Sequence, residues 1–71
     1  MWPRARFRQA LETVLNEKQM ALGVPGHRFS EFANKVYDEV RPPFFRRMCE
    51  WIKENWQTIL SIILTIAPLF L

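Results

Sequence analysis

The amino-acid sequence predicts an all-α protein: two short amphipathic helices, then one long helix that becomes a C-terminal transmembrane or membrane-embedded segment. Three observations point there. Apolar residues recur at the i, i+3, i+4, i+7 spacing of a helical face in three separate stretches. Glycine and proline punctuate the chain between those stretches, at Gly23-Val-Pro-Gly26 and at Pro42-Pro43. The last thirteen residues, Ile59 to Leu71, carry no charge. Strand signals are weak by comparison.

The first element, residues 1–22, reads as a basic amphipathic helix. Pro3 suits a first helical position, where its missing N–H is not needed. Phe7, Ala10, Leu11, Val14, Leu15 and Leu22 fall on one face. Gly23 stands where a C-cap is expected, with Pro25 beyond it. The opening residues Met1-Trp-Pro-Arg-Ala-Arg-Phe-Arg8 resemble a mitochondrial presequence in charge and amphipathicity. Glu12, Glu17 and the lack of any serine before Ser30 favour a surface-lying or partner-binding helix instead. Residues 23–29 form a Gly/Pro loop.

The second element, residues 30–41, begins with Ser30 as expected N-cap and Glu31 beside the positive helix start. Phe29, Phe32, Ala33, Val36, Tyr37 and Val40 repeat the helical spacing. Glu31 and Lys35 form an i,i+4 pair in the favourable order. Pro42-Pro43 stops this helix.

The third element is expected to start near Phe44 and to run unbroken to the apolar end. Residues 42–55 are its juxtamembrane part and 56–71 its membrane part. Phe45, Met48, Cys49, Ile52, Trp56, Ile59, Leu60 and Ile63 share one face. Arg46, Arg47, Glu50, Lys53, Glu54 and Gln57 occupy much of the rest.

A helix that crosses a bilayer needs about 20 residues. The uncharged run alone is too short, so the working segment begins near Trp51 or Trp56, two rings suited to headgroup level. The membrane-embedded residues are then Trp56, Ile59, Leu60, Ile62, Ile63, Leu64, Ile66, Leu69, Phe70 and Leu71. Those from Ile59 onward contribute on the order of −3 to −5 kcal/mol to insertion. Lys53 or Glu54 at mid-bilayer would each cost about 3 kcal/mol, so both belong at the surface. Arg46, Arg47, Trp51 and Lys53 are the interface and orientation residues. Arg41 adds to the basic cluster, which favours a cytosolic N-terminal side. An intracellular membrane, endoplasmic reticulum or mitochondrial, is the expected location.

Enzymatic chemistry is not expected. His27, the single histidine, falls in a loop without a second ligand at metal spacing. Asp38 and Glu39 are neighbours in a helix, so they point in different directions. No phosphate-binding Gly-rich loop is present, and no cofactor or metal is implied. The single cysteine, Cys49, excludes an internal disulfide. On an apolar face before the membrane segment, it is a packing residue or a lipidation candidate. The formal net charge of +3 suits an anionic membrane surface. Nucleic acid is not an expected partner, because Glu12 and Glu17 follow the Arg4, Arg6, Arg8 cluster closely.

The expected function is a small tail-anchored accessory subunit or regulator of a larger membrane protein. The partners are the lipid bilayer and that membrane protein, or a second copy of the chain. The partner-binding face comprises Phe7, Leu11, Val14, Leu15, Phe32, Val36, Tyr37 and Val40, on the premise that so short a chain cannot bury three apolar stripes. The alternative is a membrane-active oligomer. In layout the chain resembles small viral channel formers and phage lysis proteins, with a basic amphipathic part before an apolar segment. Ser61 and Thr65, four residues apart, would then face a lumen, unless their hydroxyls bond back to their own helix.

Overall fold

The computed structural model describes residues 2–44 and 46–71. Phe45, placed above on the apolar face of the third element, lies outside the described residues. Four α-helices follow one another: α1 (Arg4–Glu17), α2 (Phe29–Val40), α3 (Met48–Glu54) and α4 (Trp56–Ile66). Single 3-10 turns cover Gly26–Arg28 and Ala67–Phe70. The all-α expectation holds, and the third element departs from it by being two helices rather than one.

α1 buries Phe7, Ala10, Leu11, Val14 and Leu15, the face its spacing predicts. It stops five residues before the expected end at Leu22. Gln19 takes a left-handed conformation with φ 55°. Its N–H donates to the Asn16 carbonyl, and the Met20 N–H donates to the Leu15 carbonyl, both at 3.0 Å. This pair of bonds is a Schellman closure, which satisfies carbonyls that the helix end would leave open. Glutamine thus fills the role expected of Gly23. The gain is that Met20, Leu22 and Val24 turn back onto the core instead of continuing around the helix. Gly23 has φ 79°, and a Cβ there would sit 3.2 Å from Leu71 Cδ2. Backbone conformation and close approach both favour glycine at this position.

α2 is amphipathic as expected, with Phe32, Ala33, Val36 and Tyr37 buried. Ser30 does not cap it, since the helix has no side-chain cap. Its Oγ instead accepts a hydrogen bond from Arg8 at 3.1 Å, linking α2 to α1. Arg41 ends the helix in a left-handed conformation, its N–H donating to the Tyr37 carbonyl at 2.8 Å. The residue before a proline avoids the α region, and Pro42 therefore fixes this boundary.

α1 and α2 run antiparallel. Arg4 bonds Asp38 at one end, and Arg8 bonds Ser30 further along. α3 packs on α1 and parallel to it, with Cys49 beside Ala10 and Lys53 beside Glu17. α4 packs chiefly on α2.

The turn between α3 and α4 is at Asn55, with φ −105° and ψ 24°. Asparagine competes with helix by bonding nearby backbone, and Asn55 Nδ2 donates to the Trp51 carbonyl at 2.9 Å. The apolar stripe expected across 48–63 is real, but this turn divides its work. Met48 and Ile52 are buried before the turn, Ile59, Ile63 and Ile66 after it. The radius of gyration is 11.0 Å, close to the ~11 Å of a packed domain of this length. A projecting helix would enlarge it. Residues 56–71 are therefore folded against the other helices, and no described helix is long and apolar enough to cross a membrane.

One core joins all four helices. Phe7, Phe32, Leu11, Ile52, Ile59, Ile63, Val14 and Val36 have side chains fully out of water. Each such side chain stabilises the fold by roughly 1.5–3 kcal/mol before entropy costs. The Phe7 ring meets the Tyr37 ring edge-on at 5.5 Å, and the Phe32 ring meets Phe70 at 6.0 Å. The Tyr37 hydroxyl donates to the Trp2 carbonyl, tying the start of the chain to α2.

Candidate functional site

The residues expected to meet a partner mostly meet one another. Phe7, Leu11, Val14, Leu15, Phe32, Val36 and Tyr37 are buried in the chain's own core, and Val40 is half-buried against it. The premise that three stripes exceed what this chain can bury is corrected here. The turn at Asn55 lets the third stripe cover α1 with one half and α2 with the other.

The segment expected in the membrane divides by face. Ile59, Ile63, Ile66 and Ala67 are buried. Trp56, Leu60, Ile62 and Phe70 are half-buried. Leu64, Leu69 and Leu71 are 58%, 66% and 69% exposed. The outward side of α4 is completed by Gln57, Thr58, Ser61, Thr65 and Pro68 just beyond its end, all exposed. From Asn55 to Leu71 no residue is charged, so this outer face is uncharged along its whole length. Thr65 donates its hydroxyl to the Ser61 carbonyl at 2.9 Å, so that group is satisfied within the helix. The first charges beside this face are Lys35 and Glu39 on α2, where a groove of about 340 Å³ runs between α2 and α4.

Water-facing leucines on an uncharged helix form the surface of this molecule that differs most from an ordinary solvated face. Neither protein-family models, curated proteins nor solved structures give a match to this chain. The functional reading accordingly rests on the chain's own surfaces.

Of the orientation residues, Arg46, Arg47 and Lys53 are exposed and Trp51 is half-buried. Lys53 bonds Glu17 at 2.7 Å, joining α3 to the end of α1. That hydrogen bond raises its pKa above the ordinary lysine value, opposed by desolvation and helped by the nearby negative charges of Glu17 and Glu50. The Lys53 charge thus has a structural partner on α1. Cys49 is half-buried, its Sγ 4.0 Å from the Ala10 carbonyl. Its thiol lies in the α1–α3 contact, which lipidation would have to open. His27 is exposed in the 3-10 turn. Among the described residues, no group of three or more His, Cys, Asp or Glu side chains is placed to hold a metal ion.

Two further surfaces escape a reading by periodicity. A groove of about 620 Å³ opens between α1 and the 20–30 connection, with Leu15, Met20, Leu22, Val24 and Phe29 among its walls and Arg8, Glu12 and Ser30 at its polar side. At the end where α1 starts, a smaller depression of about 360 Å³ is bounded by Trp2, Pro3, Arg6, Phe44 and Arg46. Trp2 is only 7% exposed, and its buried indole N–H has no acceptor among the described residues. Phe44, whose ring centroid is 5.9 Å from that of Trp2, is 78% exposed. Sequence spacing could not find this site, because Trp2, Pro3 and Arg6 lie far in sequence from Phe44 and Arg46 and meet them only in the folded chain.

Proposed function

We propose that this protein is a small non-enzymatic accessory subunit or regulator that docks on a larger membrane protein. The docking surface is the outer face of α4 and the turn that follows it. One observation carries the reading: Leu64, Leu69 and Leu71 are mostly exposed on a segment with no charge from Asn55 onward. Leu64 lies on α4, Leu69 in the 3-10 turn beyond it and Leu71 after that turn, so the docking surface spans the end of the helix. A face free of Lys, Glu and Asp also needs little charge desolvation when covered. In this reading the bundle lies on the cytosolic side of an intracellular membrane, with its exposed arginines toward the headgroups.

A photo-crosslinker at Ser61, near the centre of the outer face, tests the proposal in native membranes. The same label at Thr13, exposed on α1, is the control. Ser61 labelling should give adducts with an integral membrane protein, Thr13 labelling should not, and Leu64→Glu with Leu69→Glu should abolish the adducts. Equal crosslinking from both positions, or adducts that survive the double substitution, would end this reading. Deleting Ile59–Leu71 is a poor test, because it removes Ile59 and Ile63 from the core.

A further inference from the structure

We infer that Phe44 and Arg46, between α2 and α3, together with Arg6 near the start of α1, form a second contact surface that recognises an anionic lipid bilayer. The residues involved are Arg6, Phe44 and Arg46, which bound one depression with Trp2 and Pro3. Phe44 is the one aromatic residue in the exposed class among the described residues, at 78%. It stands on a backbone stiffened by Pro42, whose side chain is fully buried, and Pro43. A ring held outward by a stiff loop loses little freedom on insertion between acyl chains, so its apolar area converts efficiently into binding.

The depression beside that ring is bounded by two arginines, Arg6 and Arg46, and by no acidic residue. Arg6, Arg41, Arg46 and Arg47 are all exposed, and none has an ion-pair partner among the described residues. Arg4, also at this end, is already neutralised by Asp38. The connection from Arg41 to Arg47 contains no acidic residue. Unpaired arginines around an apolar wedge match an interface where phosphate and carboxylate headgroups overlie hydrocarbon. Arginine suits this role, since its planar fork bonds phosphate oxygens in pairs.

The geometry favours lipid over single-stranded nucleic acid. Base stacking needs several open ring faces along a basic track. Here Trp2 is buried, and among the described residues Phe44 is the one phenylalanine, tyrosine or tryptophan in the exposed class. This surface is distinct from the α4 face, and it stands whether or not a protein docks there.

Flotation with vesicles of phosphatidylcholine alone, or mixed with phosphatidylserine, tests the inference. The full chain should bind the phosphatidylserine vesicles more tightly, and added salt should erase that preference. Arg6→Gln with Arg46→Gln should weaken the phosphatidylserine-dependent binding roughly 25-fold, from about 1 kcal/mol per arginine. Phe44→Ala should weaken binding about tenfold or more. All three positions are exposed, and unchanged helical circular dichroism and melting would show that each variant folds. Leu64→Glu with Leu69→Glu should keep the salt-sensitive preference even if it abolishes crosslinking to a membrane protein, so the two readings fail separately. Equal binding to both vesicle types would overturn the inference. So would arginine variants that keep the preference, or tighter binding to single-stranded DNA than to the anionic vesicles at the same salt.

Discussion

α2 and α4 bury the same kind of stripe and differ in what they turn outward. α2 hides Phe32, Ala33, Val36 and Tyr37 and presents Glu31, Lys35, Asp38 and Glu39 to water. α4 hides Ile59, Ile63 and Ile66 and presents Gln57, Thr58, Ser61, Leu64 and Thr65. The inner faces do one job, the shared core. The outer faces do not, since one is charged and the other is neutral, with Leu64 exposed on it and Leu69 and Leu71 exposed just beyond its end. Amphipathic periodicity therefore identifies what the molecule packs against itself. The chemistry of the opposite face identifies what is left for something else.

The sharpest way to break this comparison is to attack the two faces of α4 one residue apart. Ile63→Ala should cost about 2–5 kcal/mol, because its side chain is fully buried and its loss leaves a cavity. Leu64→Ala, on the outer face, should change stability by no more than about 0.5 kcal/mol. Urea denaturation followed by circular dichroism measures both. Similar losses at the two positions would mean that α4 is not seated on α2 as described.

A charge on each outer face makes the next test. Leu64→Glu with Leu69→Glu should leave stability nearly unchanged yet abolish the Ser61 crosslink to a membrane protein. On α2, Lys35→Glu should leave both unchanged. A loss of that crosslink from the α2 substitution would erase the functional distinction between the two helices.

Smaller effects belong to the surface ion pairs. Asp38→Ala releases Arg4, and since both side chains are about half exposed the loss should be at most about 1 kcal/mol. Lys53→Met should show a pH signature. The lysine pKa is raised in the folded state by its bond to Glu17, so its stabilising contribution is complete below the ordinary lysine pKa. It is lost as pH rises through the raised value. Thermal melts of wild type and Lys53→Met should therefore differ by a constant amount around neutral pH and converge in strongly alkaline buffer. A gap that widens with alkalinity would contradict the assigned partner.

Much of the fold was legible in the residues. The buried faces of α1 and α2 follow from spacing alone, because helical period and burial are the same geometric fact. Two local features were not legible. Gln19 closes α1 although glycine is the usual residue there, because the tertiary gain from folding Met20, Leu22 and Val24 onto the core outweighs a left-handed glutamine. Asn55 sits within an otherwise helical pattern, and the turn there shows only in its folded backbone, with φ −105° and ψ 24°, and in its bond to the Trp51 carbonyl. That turn decides the fate of the apolar segment, which sequence hydropathy reads as lipid-facing and the packing places half inside. The Arg6–Phe44–Arg46 surface was out of reach for a different reason. It depends on contacts between distant parts of the chain, which no local window contains.

The turn at Asn55 has one more consequence. Met48, Ile52, Ile59, Ile63 and Ile66 stay in phase across it, so a straightened α3–α4 would carry one continuous stripe. Straightened, the chain would lift Ile59, Ile63 and Ile66 off α2, so the bend at Asn55 is what lets one copy bury both halves of the stripe.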